Sequence, residues 1–168
     1  MSIIDNTYFI TENNLPVDNI NIQSFIDKHE PEILKKIFGY ALYKDFIDGL
    51  AVLPTPDQKW LDLRDGSEYT YDGELNKYEG IQNIIADWVY YWITRSEKTT
   101  ATDSGIKRAN VMNMENTDPK SRQVYSYNEM VDQIVLLNEF ILANNESVAD
   151  TYENYETATF KKNNVLNI

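Results

Sequence analysis

One histidine, no cysteine and 27 carboxylates are the side chains from which this chain could build a reactive site. His29 stands next to Glu30 and one turn before Ile33 in a helical pattern. A single His without Cys cannot form the common zinc sites. As a general base it would need a placed nucleophile, and the sequence marks none. A packed or surface histidine is therefore the expectation. The carboxylate pairs Asp45/Asp48 and Asp62/Asp65 share helix faces at i, i+3, a spacing typical of solvated faces. No calcium-loop ladder, dinucleotide or phosphate-binding glycine motif, or nucleophile elbow is present, and Asp103-Ser104-Gly105 is a turn signal only. Neither catalysis nor a cofactor or metal is expected.

Charge narrows the classes further. The chain has 168 residues and a net charge of −12, whereas duplex-binding proteins are normally basic, so sequence-specific DNA binding is not expected. The length suits one domain with a real core. No apolar run reaches the ~18 residues of a membrane span, and the opening MSIIDNTYFI lacks the basic and apolar regions of a signal peptide. Charge is also uneven. Arg95 to Arg122 holds six bases and four acids, and Gln123 to Phe160 holds seven acids and no base. Two such segments could be self-complementary between copies of the chain, or could simply be two solvated faces.

The elements that position these residues centre on Gly80 to Lys98. Ile81, Ile84, Ile85, Trp88, Val89, Trp92 and Ile93 recur with the spacing of one helical face. Tyr90 and Tyr91 widen that arc, so this helix is buried on two sides or meets another chain. Trp88 and Trp92 are expected in the core with Ile84, Ile37 and Leu137.

Around it, Thr7 to Thr11 has strand-like composition, and Asn14-Leu15-Pro16 reads as a turn or linker. Asn19 or Asn21 caps a helix through Phe38, with a kink or break expected at Pro31 and a left-handed cap at Gly39. A short helix over Tyr40 to Asp48 closes at Gly49. A further helix spans Asp57 to Leu63. Asp72-Gly73 predicts a hairpin over Ser67 to Tyr78. Thr99 to Asp118 is polar and aperiodic. Loops above about 12–15 residues are uncommon in compact domains unless functional, and a neighbouring subunit is one candidate for holding this one. Asp118-Pro119 starts a last helix to about Ala143. Its apolar stripe of Tyr127, Met130, Ile134, Leu137 and Ile141 is broadened by Val131, Val135, Leu136, Phe140 and Leu142. From Ser147 the composition suits a disordered terminus. The expected fold is mainly α: a bundle of three principal helices with short helices, a small hairpin and extended termini. An arm (1–18) and a tail (146–168) flank a helical domain (19–145) with its long loop (99–118).

The order of these motifs resembles a known family. Ile37-Phe38-Gly39-Tyr40-Ala41-Leu42-Tyr43 is followed by a Trp60 segment and an aromatic hairpin ending in Glu79-Gly80-Ile81. The Trp88/Tyr90/Tyr91 helix, the Thr102-Asp103-Ser104-Gly105 loop and a long last helix complete the order. This is similar, over Ile20 to Leu142, to the head–tail connector (head-completion, adaptor or neck) proteins of tailed bacteriophages, most of all those of Bacteroidetes and crAss-like phages. The tail beyond Asn145 and the N-terminal arm depart from that pattern. The resemblance implies a structural virion protein at the head–tail junction, made in the bacterial host cytoplasm. It implies a homo-oligomeric ring, commonly a dodecamer, between the portal protein and a neighbouring neck ring or tail protein. DNA would pass through its channel without sequence-specific binding, and no membrane is involved. The subunit interface expected from loop length and charge comprises Ile106, Lys107, Arg108, Val111 and Met112 against Glu129, Asp132 and Glu139. The alternative is a small acidic binding protein, such as a DNA mimic that inhibits a host nuclease.

Overall fold

A computed structural model describes residues 2–11, 21–97, 100–102, 105–107, 119–147, 151–153 and 155–163. The fold is mainly α, with helices α1 (Thr7–Thr11), α2 (Ile22–Leu50), α3 (Gln58–Asp65), α4 (Ile81–Glu97) and α5 (Pro119–Ser147). Strands β1 (Ser67–Tyr71) and β2 (Glu74–Tyr78) form an antiparallel hairpin.

Local chemistry explains the boundaries. Asn21 caps α2, its side chain accepting the Ser24 amide at 3.2 Å. The kink expected at Pro31 is absent; the break falls at Gly39, where the first helix was expected to end and whose φ of 68° and ψ of 175° leave the helical region. The ring of Pro31 removes one hydrogen bond and is carried through, whereas a positive φ breaks the ladder and suits glycine. Gly49 does not close the helix. It lies in the last turn, where an added Cβ would stand 2.1 Å from the Trp60 indole nitrogen. At the hairpin tip Asp72 and Gly73 both have positive φ, the requirement of a two-residue turn with the matching twist. Gly66 and Gly80 let the end of α3 cross the start of α4: a Cβ on Gly66 would lie 2.2 Å from the Tyr78 carbonyl.

Two expectations at the termini are corrected. Thr7 to Thr11 is helical, with the Asp5 carboxylate accepting the Thr7 amide at 2.8 Å. β-Branched composition cannot make a strand without a partner, and a capping acid two residues earlier offers the backbone a helix instead. The segment after Ser147 is packed where described, with Tyr152 buried. Asn14-Leu15-Pro16 and Asn19 lie outside the described residues.

α4 packs against both α2 and α5, and the hairpin packs on α5. Ile84, Ile85, Val89, Ile93, Met130, Leu137 and Ile141 are buried in the shared core, joined by Ile37 from α2 and by Ile4 and Phe9 from the N-terminal arm. Trp88 is buried as expected, but Trp92 is half-buried at the core edge. Tyr90 turns inward and is buried, so the broad arc of α4 is mostly used within the chain.

Candidate subunit interface

α5 carries two different faces. Its inner face buries Met130, Ile134, Leu137, Phe140 and Ile141. Phe140 stacks on Tyr78 at 4.7 Å and meets Tyr69 edge-on at 5.7 Å, a geometry that adds to the area buried. Burial drives the Tyr78 hydroxyl pKa well upward, and that hydroxyl donates to the Leu63 carbonyl at 3.3 Å.

The outer face is mixed. Steps of four, three, four and three residues put Tyr125, Glu129, Asp132, Leu136 and Glu139 on one row. Tyr125 is 67% exposed and Leu136 38%; on the adjoining row Val135 is 50% exposed and Leu142 38%. Of the five residues that broaden the stripe, Val131 and Phe140 are buried within the chain, whereas Val135, Leu136 and Leu142 stay partly exposed among the described residues.

The three carboxylates expected at the interface all lie on the first row, each with a partner in its own chain. Glu129 faces the Tyr125 hydroxyl and raises its pKa. Asp132 pairs with Lys162 at 2.6 Å, both half exposed. Glu139 accepts from the Tyr69 hydroxyl at 3.2 Å, and burial together with that carboxylate pushes Tyr69 up to about 12. Of these, the Asp132–Lys162 pair is exposed on both sides, and exposed ion pairs contribute about 0–1 kcal/mol.

On the other side of the expected contact, Ile106 and Lys107 sit on strand β4 (Gly105–Lys107), which pairs with β3 (Thr100–Thr102) in the register Ala101↔Ile106 and Thr100↔Lys107. The segment read as aperiodic thus contains a second short hairpin. Arg108, Val111 and Met112 lie outside the described residues.

The structure adds a feature that composition hid. Residues 155–163 run beside α5, held by asparagine side chains. Asn138 donates to the Ala158 carbonyl at 2.9 Å and accepts the Ala158 amide at 3.2 Å. Asn128 grips Asn163 in the same way, donating at 3.1 Å and accepting at 2.8 Å. Asn145 does so with Tyr152, at 3.3 and 2.7 Å. The Tyr155 hydroxyl also donates to Asn138, and burial pushes that hydroxyl up to about 12. Since Asn128 and Asn138 stand ten residues apart on a helix and Ala158 and Asn163 five apart on the tail, the spacings to be matched are about 15 Å and about 16 Å. Hence one helix can clamp an extended strand at both points.

The residues considered for chemistry have structural partners. His29 is buried and stacks on Trp92 at 4.8 Å with an interplanar angle of 4°. Its Nδ1 lies 2.8 Å from a Glu32 oxygen, which as a carboxylate can only accept, so Nδ1 carries the proton. Burial holds its pKa below 6.5. Asp48 pairs with Lys44, Asp62 accepts from Gln58 at 2.8 Å, and Asp65 takes both Arg64 nitrogens at 2.7 Å. Glu30, buried, receives the Ile3 and Ile4 amides at 3.0 and 3.2 Å and so fixes the N-terminal arm. Among the described residues no cluster of three or more His, Asp or Glu could hold a metal ion, and no helix is long and apolar enough to cross a membrane.

Compared with known proteins, residues 34–164 match one family, described as a family of unknown function (DUF6712). No curated protein and no solved structure gives a significant match.

Proposed function

The chain belongs to the DUF6712 family, and we propose that it is a structural subunit of a tailed-bacteriophage neck: a head–tail connector that closes into a homo-oligomeric ring between portal and tail. The observation that carries this reading is the outer face of α5, where Tyr125, Val135, Leu136 and Leu142 stand exposed among Glu129, Asp132 and Glu139. Scattered single apolar residues on a surface need no explanation, but four on neighbouring rows of one helix form a patch. Acids around an apolar centre match the anatomy of a protein interface, with the rim setting register and the centre carrying affinity. In the ring the patch meets the mildly basic 95–122 segment of the next copy. The acidic balance favours a channel along which DNA slides without sticking. The chain contributes position and surface, with no catalytic step.

Electron microscopy of the native particle tests the reading. The expected result is this chain in a closed ring beneath the portal, with α5 at the subunit boundary. Its absence from the particle, or a stoichiometric complex with a host nuclease in its place, overturns the assignment.

A further inference from the structure

Two surfaces of the chain carry uncompensated charge of opposite sign around apolar rings. The first is a plate of aromatic side chains across three helices. Phe25 and His29 of α2 lie 6.0 Å apart, His29 and Trp92 of α4 4.8 Å, Trp92 and Tyr91 5.6 Å, and Tyr91 and Tyr127 of α5 5.4 Å. Phe25, Tyr91, Trp92 and Tyr127 are only partly buried, so the plate keeps an outward surface. The Arg95 guanidinium lies over the Trp92 ring at 5.3 Å and donates to the Tyr91 hydroxyl at 2.9 Å. Lys28 is exposed one helical turn from Phe25. Among the described residues neither of these cations meets a carboxylate; the acid at the plate, Glu32, is shared by His29 and Lys36.

The second surface is the outer row of α5. Its Glu129 and Glu139 face the Tyr125 and Tyr69 hydroxyls, which carry no charge, so among the described residues their negative charge has no cation beside it. Tyr125 and Leu136 add exposed apolar area to the same row. Tyr125 and Tyr127 are two residues apart, about 200° around a helix, so the acidic row and the plate look opposite ways across α5. The two surfaces therefore cannot meet within one chain. Unlike, complementary surfaces on two sides of one subunit are what a head-to-tail contact requires, and such contacts generate rings when the rotation closes.

We propose that the aromatic plate of α2, α4 and α5 is the receiving surface for the outer row of α5 of a neighbouring copy. This rests on the ring reading above and names the other half of its contact. Charge selects a second copy as the occupant: the plate brings Lys28 and Arg95, and the row brings Glu129 and Glu139. Trp, Tyr and Arg are the side chains that anchor interfaces, and here they meet Tyr125 and Leu136 at the centre while the charges set direction.

A charge swap read by mass photometry, alone and with a portal ring, tests the contact. One variant carries Lys28→Glu and Arg95→Glu, the other Glu129→Lys and Glu139→Lys. Either alone sets like charges at every boundary, and ring yield is expected to fall at least about tenfold. In an equimolar mixture the two variants alternate, each boundary again pairs opposite signs, and yield should return to within about twofold of the wild type. If the wild type forms rings but neither reversal lowers their yield, or the mixture fails to restore it, this contact is overturned and the ring reading stands. If the wild type forms no ring in either setting, both are overturned. Where a reversal lowers the melting temperature, Lys28→Gln/Arg95→Gln takes its place. A loss of about threefold at low salt is then expected, and an unchanged yield overturns the contact.

Discussion

The two faces of α5 are built from similar residues and end in opposite states. On the inner face Leu137 and Ile141 are fully buried; on the outer face Val135, Leu136 and Leu142, one to six residues away in sequence, are partly exposed. Apolar content alone does not separate them. The inner face meets α4 and the hairpin, elements of its own chain. Among the described residues the outer face meets the Tyr69 hydroxyl and a strap, residues 155–163, held by backbone, hydroxyl and ion-pair contacts, which leave part of its apolar surface exposed.

That contrast can be broken from the inside first. Phe140→Ala removes the ring shared by Tyr69, Tyr78 and Tyr152, and should cost about 3–5 kcal/mol by chemical denaturation, the range for aromatic truncation in cores. Trp88→Ala belongs to the same range, its ring being buried beneath Lys36 and against Tyr91. A loss below about 1 kcal/mol for either would mean that the inner face is not the folding core.

A smaller effect is expected at the strap. Asn138→Ala leaves Ala158 and Tyr155 without their partners and should cost about 1–3 kcal/mol, at roughly 1 kcal/mol for each part-buried bond. Hydrogen exchange at the Ala158 and Asn163 amides would report it directly, rising at both sites if the clamps act together.

The outer face should respond in the reverse sense. Leu136→Asp is expected to change monomer stability by no more than about 0.5 kcal/mol, the usual span for surface changes, while weakening self-association. Reversing Lys107 and Arg108 to Glu should slow association and make it less sensitive to salt, because rim charges act mainly on encounter. Stopped-flow light scattering at two ionic strengths checks both statements.

The smallest expected effect is on pH dependence. His29 has a folded pKa held below 6.5 by burial, so the unfolded chain binds its proton more readily. Its contribution to stability is present above the unfolded pKa and is lost as pH falls through about 6.5 toward the folded value. Glu30 acts oppositely: burial raises its pKa, so its protonation on acidification favours the folded state. The difference in melting temperature between the wild type and His29→Phe, followed from pH 7.5 down to about 5, isolates the histidine. Stability should fall with acid in the wild type more than in the variant.

Some features that depend on residues close in sequence were legible. Asp72-Gly73 marks the hairpin because both positions need positive φ, and of the two candidate caps Asn19 and Asn21 it is Asn21 whose side chain reaches the Ser24 amide at the start of α2. The i, i+3, i+4 rows of α4 and α5 give the inner faces for the same reason. The strap was illegible, because its affinity lies between side chains and backbone groups 7 to 35 residues apart, and backbone groups leave no trace in composition. Three asparagines spaced along one helix are its only sign. Thr7 to Thr11 was misread because β-branched residues suggest a strand wherever they occur, while the Asp5 cap acts on the following residues alone. Of the expected interface, the acids of α5 were placed on one row by periodicity, but their partners Lys162, Tyr69 and Tyr125 were set by the tertiary fold and a neighbouring helical turn.

The most direct test of the outer face as a subunit boundary is mass photometry with electron-microscope class averages on the wild type and on the double variant Tyr125→Asp/Leu136→Asp, each alone and with a portal ring. The wild type should give closed rings with a central opening, and the variant monomers with an unchanged melting temperature. A wild type that stays monomeric in both settings, or a variant that rings up as well as the wild type, would contradict the assignment of α5's outer face.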